Sequence, residues 1–379
     1  MKILMLTPYL PYPPSSGGQI RSFNLIKELS QKHQITLCSL IKYEEEKKYV
    51  KALSEFCEKV MVFKREEKPW TLKNIIKTGF SKYPFLVIRN FSSDEKKRVK
   101  KLLEEEHFDI IHAETFYVSP HIPSTKIPIV LVDQTIEYEV YEHYVSNFRL
   151  PLLRPLLLID VFKIKFWESY FWKKSSMVVA VSLRDKKIME AQVKDLRVEV
   201  VPNGVGEDLM GKVKLHFGKT ILFMGNYAWL QNIEAARILA EVVFPVIKKE
   251  IADVTLLIAG QNTEKIGALS GQGITLLDLA IDDITGVKKA YQKAAILVAP
   301  LYGPGGTRLK ILGAMASYVP VVTTNIGIEG IEAKNRETVL FGDKPEDLAN
   351  LAIKLLKNED FYVSIAKNAR KLVEEKYDY

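Results

Sequence analysis

Short apolar runs recur along the chain, each closed by a Gly, a Pro or a polar residue. In the first half they are Lys2–Thr7 (KILMLT, stopped by Pro8), Gln34–Leu40, Val60–Phe63, Asp109–Ala113 (DIIHA), Ile129–Asp133 (IVLVD) and Met177–Ser182 (MVVAVS). Between them lie stretches with apolar residues at three- and four-residue steps, such as Ile20, Phe23, Leu25, Ile26 and Leu29, and charged segments such as Asp94–Glu106. An apolar run bounded by turn residues predicts a strand buried on both faces, and the three-to-four repeat predicts an amphipathic helix. The pattern restarts at Thr220 with Ile221–Met224 (ILFM), Val254–Ala259 (VTLLIA), Ala295–Ala299 (AILVA) and Val319–Thr323 (VPVVT), and a helix is expected from about Asn232 to Lys249. Strands alternating with helices predict parallel sheets covered on both sides. Two doubly wound α/β domains are therefore expected, at 1–200 and 219–379, with 201–218 as the linker.

Charge and glycine divide the chain the same way. Of 379 residues, the first 195 hold 32 basic and 24 acidic side chains, a net of +8, and the remainder hold 22 of each. Three of the 20 glycines lie in the first 195 residues. The halves differ too much for a tandem duplication. A uniformly basic protein would suggest nucleic acid as a partner. An excess confined to one half suits an anionic acceptor or lipid surface instead. Cys38 and Cys57 make no disulfide framework or metal spacing. The apolar start breaks at Pro8, too soon for a signal peptide, and no stretch reaches the roughly 18 apolar residues of a spanning helix. A cytoplasmic location is expected. Leu150–Lys174 (LPLLRPLLLIDVFKIKFWESYFWKK) mixes aliphatic, aromatic and basic residues. It reads either as a buried core helix or as an amphipathic element lying on the inner face of an anionic membrane.

Chemistry is sought at the carboxyl ends of the strands, where open α/β sheets bind ligands and glycine turns expose N–H groups to anions. Three turns qualify. The third, Gly303-Pro304-Gly305-Gly306-Thr307-Arg308-Leu309-Lys310, directly follows AILVAP. Thr307 is expected to cap a helix reaching about Ser317, which puts Arg308 and Lys310 at its positive end. Cations are disfavoured there unless an anion docks, and an Arg fork beside a Lys suits a diphosphate. The alternative is a solvated helix start. Gly17-Gly18, leading to Arg21, and Gly225-Asn226, after ILFM, read equally as anion turns or ordinary loops. Neither GxGxxG nor GxxxxGK[ST] occurs, and the six histidines form no metal motif. Asp133 and Glu137, after IVLVD, either bind a sugar hydroxyl or begin a helix. His112, closing DIIHA, is expected to be a hydrogen-bonded structural residue.

Taken together, ILFMGNYAWLQNIEAA, VTLLIAG and ILVAPLYGPGGTRLKILGAMASYVPVVTTNIGIEG resemble the GT-B glycosyltransferases, in particular the retaining family-4 type that uses nucleotide-sugar donors. PYPPSSGGQIRSFNLIKEL and VVPNGV also look like family segments. The resemblance implies two Rossmann-like domains facing a cleft, with the donor in the C-terminal one and a polysaccharide, lipid-linked or glycolipid acceptor mostly on the N-terminal one. It implies no metal and no cofactor beyond the nucleotide sugar. By position, Gly17 and Gly18 would approach the diphosphate and sugar, Gly225, Asn226 and Asn232 the phosphates, and Gly305, Gly306 and Thr307 would line the donor loop. Arg308 and Lys310 would neutralise the leaving group, the main demand of such a transfer. Arg21, Asp133, Gln134 and Glu137 are the acceptor or sugar candidates.

The chain departs from the pattern at five positions, and the basic pair usual after the first C-terminal strand reads Asn226 and Asn232, which places more of the task on Arg308 and Lys310. Two family glutamates eight residues apart read Gly305 and Gly313, and a family histidine reads Gln134. These departures leave a second function open, a degenerate GT-B protein that binds without catalysis. A sugar-nucleotide epimerase is a third, without a supporting acid/base set. The end, EEKYDY, stops where relatives continue with a helix, so a truncated chain is expected.

Overall fold

The computed structural model describes every residue except Arg149, Lys212, Val213, Ser270, Pro304–Gly306 and Tyr379. The chain forms two compact units, Met1–Pro202 and Asn203–Gly303 with Thr307–Tyr379. The boundary falls inside the expected linker, and the residues after it pack on unit 2. There Val205 N donates to Tyr377 O at 2.7 Å, and Tyr362 Oη donates to His216 O at 2.7 Å.

Unit 1 contains β1 (Lys2–Thr7), β2 (Gln34–Ile41), β3 (Lys59–Lys64), β4 (Ile110–Glu114), β5 (Ile129–Asp133), β6 (Met177–Ala180) and β7 (Val198–Val200). They form one parallel sheet in the order β3-β2-β1-β4-β5-β6-β7. Both faces are covered. Leu4 and Leu6 enter one core cluster, and Met5, between them, enters the other with Ile26 of the Gly17–Ser30 helix. The charged run at 94–106 is the helix Ser93–Glu105, whose Ser92 side chain caps Glu95 N.

Unit 2 contains β8 (Thr220–Asn226), β9 (Thr255–Gln261), β10 (Ile274–Asp278), β11 (Ile296–Ala299), β12 (Val321–Thr323) and β13 (Leu340–Phe341), parallel in the order β10-β9-β8-β11-β12-β13. The helix expected from Asn232 begins two residues earlier and has three parts: Leu230–Ile238, a π-helical turn Leu239–Val243, and Phe244–Glu250. Pro245 has no N–H to donate and crowds the preceding turn, which accounts for the irregularity just before it.

The pattern of apolar runs missed β7, β10 and β13. β7 and β13 are three and two residues long. β10 is an edge strand with most of its residues exposed.

In each unit the chain reverses direction across the sheet, between β1 and β4 and between β8 and β11. Ligand crevices of doubly wound folds open at the carboxyl ends of such strands.

Candidate functional site

At the switch point of unit 2, β8 ends in Gly225 and Asn226. Gly260 of β9 lies against that turn with φ +137°, and a Cβ on it would fall 1.8 Å from Gly225 O, so only glycine permits this approach. The Asn226 side chain ties neighbouring turns together. Its Nδ2 donates to Gln261 Oε1 (2.8 Å), while its Oδ1 accepts from Ala228 N (2.9 Å) and Asn262 Nδ2 (3.0 Å). Asn232 connects this turn to the basic pair, since its Nδ2 donates to Asn226 O (2.8 Å) and its Oδ1 accepts from Lys310 Nζ (2.6 Å). A Cβ on Gly225 would lie 3.1 Å from Asn232 Cγ and 3.3 Å from Lys310 Nζ. The missing side chain thus leaves room for the ammonium.

Among the described residues, the basic pair is held without a carboxylate hydrogen bond. Lys310 Nζ lies 4.6 Å from the Phe223 ring centroid, and Arg308 Nη2 donates to Gly303 O at 2.6 Å. Arg308 Nε is buried with no hydrogen-bond partner among the described residues. Burial and the Arg308 charge push the Lys310 ammonium from 10.5 down to about 7. Burial also lowers Arg308, to about 10, partly offset by Glu329. Two cations made costly by desolvation, one with an orphaned donor, are what an anion would stabilise.

The helix begins at Leu309 with Arg308, not Thr307, at the N-cap and no side-chain cap bond. Thr307 is buried. The capping role expected for it is therefore wrong, because the chain turns into the helix one residue later. Ile311, Leu312 and Met315 are buried as the pattern implied. At Gly313 a Cβ would meet Tyr291 Oη at 2.9 Å and Leu209 Cδ1 at 3.1 Å, so the helix packs tightly around this glycine. Gly305 and Gly306 lie outside the described residues.

At the switch point of unit 1, Glu114 ends β4 fully buried. Its Oε1 pairs with His112 Nε2 at 2.8 Å, and its Oε2 accepts from Gln134 Nε2 at 2.6 Å. Burial opposes its charge, but the His112 and Gln134 bonds and the Arg21 charge outweigh that and hold the carboxyl below its usual value. Gln134 Nε2 also donates to Tyr9 Oη (3.2 Å). A Cβ on Gly18 would overlap Tyr9 Oη at 1.9 Å and approach Gln134 Oε1 to 2.9 Å, so Gly18 backs onto this network. Gly17 is the first residue of the Gly17–Ser30 helix, whose Ser16 N-cap makes no side-chain bond.

Two acceptor candidates are held by scaffold partners. Arg21 is buried, with Nη1 donating to Val201 O (2.9 Å) and Pro202 O (3.1 Å), so it clamps the end of unit 1. Asp133 is buried and accepts from Phe116 N (2.9 Å) and Trp172 Nε1 (2.5 Å). Both of its oxygens are therefore engaged by scaffold donors. Glu137 begins the helix Glu137–Ser146, whose first N–H groups are capped by buried Glu168 (2.8 Å from Glu137 N). Burial pushes the Glu137 carboxyl up to about 7, with Arg89 opposing.

Sequence reasoning missed Glu114, Tyr9, Arg65 and Arg89. The first was detectable as a carboxylate closing an apolar strand. Among the described residues, no three His, Cys, Asp or Glu are grouped to hold a metal ion, and no helix is long and apolar enough to cross a membrane.

Solved structures share this architecture. Sucrose-phosphate synthase from Thermosynechococcus elongatus superposes with TM-score 0.71 at 14% identity, over 100% of this chain and 95% of that one. A variant of TarM from S. aureus, solved with fondaparinux, alpha-GlcNAc-glycerol and UDP, also gives 0.71 at 14% identity, over 99% and 97%. HepE from Anabaena, solved with UDP, gives 0.67 at 14% identity, over 100% and 96%. These likenesses establish the fold as GT-B. A curated relative, an uncharacterized 44.6 kDa protein in the cps region of Klebsiella pneumoniae, is 23% identical over 394 residues, covering 100% of this chain and 96% of that protein. Residues 218–358 match the family described as Glycosyl transferases group 1, and residues 15–209 match Glycosyltransferase Family 4. With more than half its residues inside the second of these matches, the chain belongs to glycosyltransferase family 4.

Proposed function

We propose that this glycosyltransferase moves a sugar from a nucleoside-diphosphate donor bound by unit 2 to a glycan or lipid-linked acceptor bound by unit 1. Retention at the anomeric carbon and independence from metal ions are part of the proposal, as the family resemblance implies. The observation that carries it is the half-buried Arg308–Lys310 pair at the β8/β11 switch point, held by Asn232 and Gly303 O and without a carboxylate hydrogen bond among the described residues. When the bond from the sugar to the diphosphate breaks, charge develops on the departing phosphate oxygens. A fork and a point charge already positioned there stabilise that charge without reorganising. The UDP in the TarM and HepE structures makes uridine donors the first to test. The cps-region relative supports a polysaccharide acceptor.

An anionic lipid surface is proposed as the place where the acceptor is met. Phe162 and Phe166 of the helix Arg154–Lys174 are 71% and 61% exposed, and Phe80 of the helix Leu72–Phe80 is 94% exposed. Lys163 Nζ donates to Thr78 O (2.7 Å) and Ser81 O (2.8 Å), which joins the two helices into one apolar face beside Lys82. Such a face, basic and aromatic, suits a headgroup boundary. The other side of the long helix buries Ile164, Trp167 and Trp172, so both readings of Leu150–Lys174 describe one of its faces.

A second reading, binding without turnover, draws on Gly313, where the packing leaves no room for the family glutamate. One experiment separates the two. Purified chain is incubated with UDP-, GDP-, ADP- and dTDP-sugars, with and without EDTA, and product is read by NMR. Transfer or slow donor hydrolysis with the α configuration kept, unaffected by EDTA, supports the proposal. Tight binding with no bond cleavage supports the second reading.

A further inference from the structure

A second pair of cations lies in unit 1, apart from the network around Glu114. Arg65 directly follows β3 at the carboxyl edge of the sheet, its N–H donating to Ile41 O of β2 (2.9 Å). Arg89 ends the helix Phe85–Arg89. Arg65 Nη1 donates to Oδ1 of buried Asn90 (3.0 Å), the residue next to Arg89, whose own Nδ2 is tied to Leu86 O (2.8 Å). The Arg65 guanidinium is thus tied to the short segment that carries Arg89. Each has a buried Nε–H with no hydrogen-bond partner among the described residues. Neither makes a carboxylate contact within ion-pair distance among the described residues. The Arg89 charge presses against Arg65, which burial has already lowered.

Arg89 offsets part of the burial of Glu137 and Asp160, but that does not account for bringing Arg65 beside it. A buried cation with an orphaned donor costs stability, and like charges brought together cost more. A flat oxyanion would satisfy both Nε–H groups and relieve the repulsion. Tyr117 and Glu137 stand near enough for Arg89 to act on both. A ligand here therefore meets groups suited to sugar hydroxyls as well.

We propose that Arg65 and Arg89 form an anion subsite that holds a phosphate ester or carboxylate carried by the acceptor. This rests on the reading that unit 1 binds the acceptor, and it narrows the acceptor to an anionic one.

The test uses the full chain carrying Arg308→Ala and Lys310→Ala, so that unit 2 does not compete for the probe. Inorganic phosphate, pyrophosphate and D-glucuronate are titrated by calorimetry and thermal shift. At least one probe should bind, phosphate or pyrophosphate pointing to a phosphorylated acceptor and glucuronate to a uronic-acid glycan. Adding Arg89→Met or Arg65→Met should weaken that binding about tenfold or more, as expected when a charge-assisted donor is lost. Arg65→Lys should recover part of it. The ligand-free melting temperature of either Met variant should hold or rise, because a desolvated charge has been removed. Three results overturn the proposal: no probe binds, binding is indifferent to both Met substitutions, or the Met variants melt several degrees lower, which marks the arginines as structural. UDP binding by the chain with Arg308 and Lys310 intact is measured alongside. Its loss defeats the donor reading and leaves the subsite standing, whereas probe failure with intact UDP binding defeats the subsite alone.

Discussion

Unit 1 buries carboxyl groups and unit 2 buries cations, and the two kinds of burial have opposite purposes. In unit 1, Asp133 and Glu168 are each occupied by backbone or indole N–H donors. Glu95 sits 3.4 Å from buried His121. Burial pushes Glu95 up to about 8 and His121 down to about 4, so the pair is neutral near pH 6. Asp133 and Glu168 hold helices and loops on the sheet, whereas neither carboxyl oxygen of Glu95 has a hydrogen-bond partner among the described residues. In unit 2, Lys310 is held by the Asn232 amide and Arg308 by the Gly303 carbonyl, an arrangement that serves an incoming anion better than the empty fold. A buried ionisable group whose partners are all scaffold donors belongs to the architecture. Two cations brought together without a carboxylate in ion-pair distance among the described residues suit a ligand better, and Arg65 and Arg89 are such a pair inside unit 1.

The sharpest way to break this comparison is to remove the cations. Arg308→Ala or Lys310→Ala should lower turnover by about 10²–10³-fold, with the melting temperature unchanged or higher. Near-normal turnover would sink the phosphate assignment. The matching change in unit 1, Asp133→Ala, should leave UDP affinity intact but destabilise the unit by about 1–3 kcal/mol, because Phe116 N and Trp172 Nε1 lose their acceptor. Chemical denaturation followed by Trp fluorescence measures it, and an unchanged midpoint would make Asp133 a candidate for the chemistry after all.

Proton linkage separates the units more gently. Folded unit 1 keeps a proton on Glu95 that the unfolded chain releases between the usual 4.5 and about 8, so this contribution to stability falls as pH rises through that window. Folded unit 2 gives up the Lys310 proton between about 7 and the usual 10.5 while the unfolded chain keeps it, so its contribution rises with pH there. Hydrogen exchange of the two units across pH 5–9 (about the range of both windows) reads both slopes. A diphosphate should return the proton to Lys310. UDP binding near pH 8 should then take up as much as about one proton, and affinity should fall by up to about tenfold per pH unit above 7. Calorimetry in buffers of different ionisation enthalpy checks the uptake, which Lys310→Ala should abolish. The smallest effect on folding is expected at the exposed apolar face. Phe162→Glu with Phe166→Glu should shift stability by about 0.5 kcal/mol or less while abolishing sedimentation with anionic vesicles. Unchanged sedimentation would remove the lipid surface from the proposal.

Much of the fold was legible because a strand buried on both faces must be a continuous apolar run, whatever lies next to it. β1, β2, β5 and β8 sit where their runs predicted, whereas β10 and β13, exposed or two residues long, carry no such signature. The basic pair was legible too, since a Gly-rich turn between a strand and a helix depends only on local order. Roles that depend on distant partners were not. Arg21 read as an acceptor contact but reaches Val201 O and Pro202 O, 180 and 181 residues away. Asp133 read either as a sugar ligand or as a helix start, and nothing local announced that Trp172 of the long helix would donate to it.

Sequence by itself determined the strand–helix alternation, the two units, the asymmetry of charge and the placing of Arg308 and Lys310 after a Gly-rich turn at a strand end. All of these follow from periodicity and neighbouring residue types, which act over a few positions. Tertiary structure alone decided that Asn232 holds Lys310, that Gly313 fits only because Tyr291 fills the space beside it, and which face of the long helix stays uncovered. Those facts depend on the desolvation and contacts supplied by residues far along the chain, and no local pattern encodes which residues will supply them.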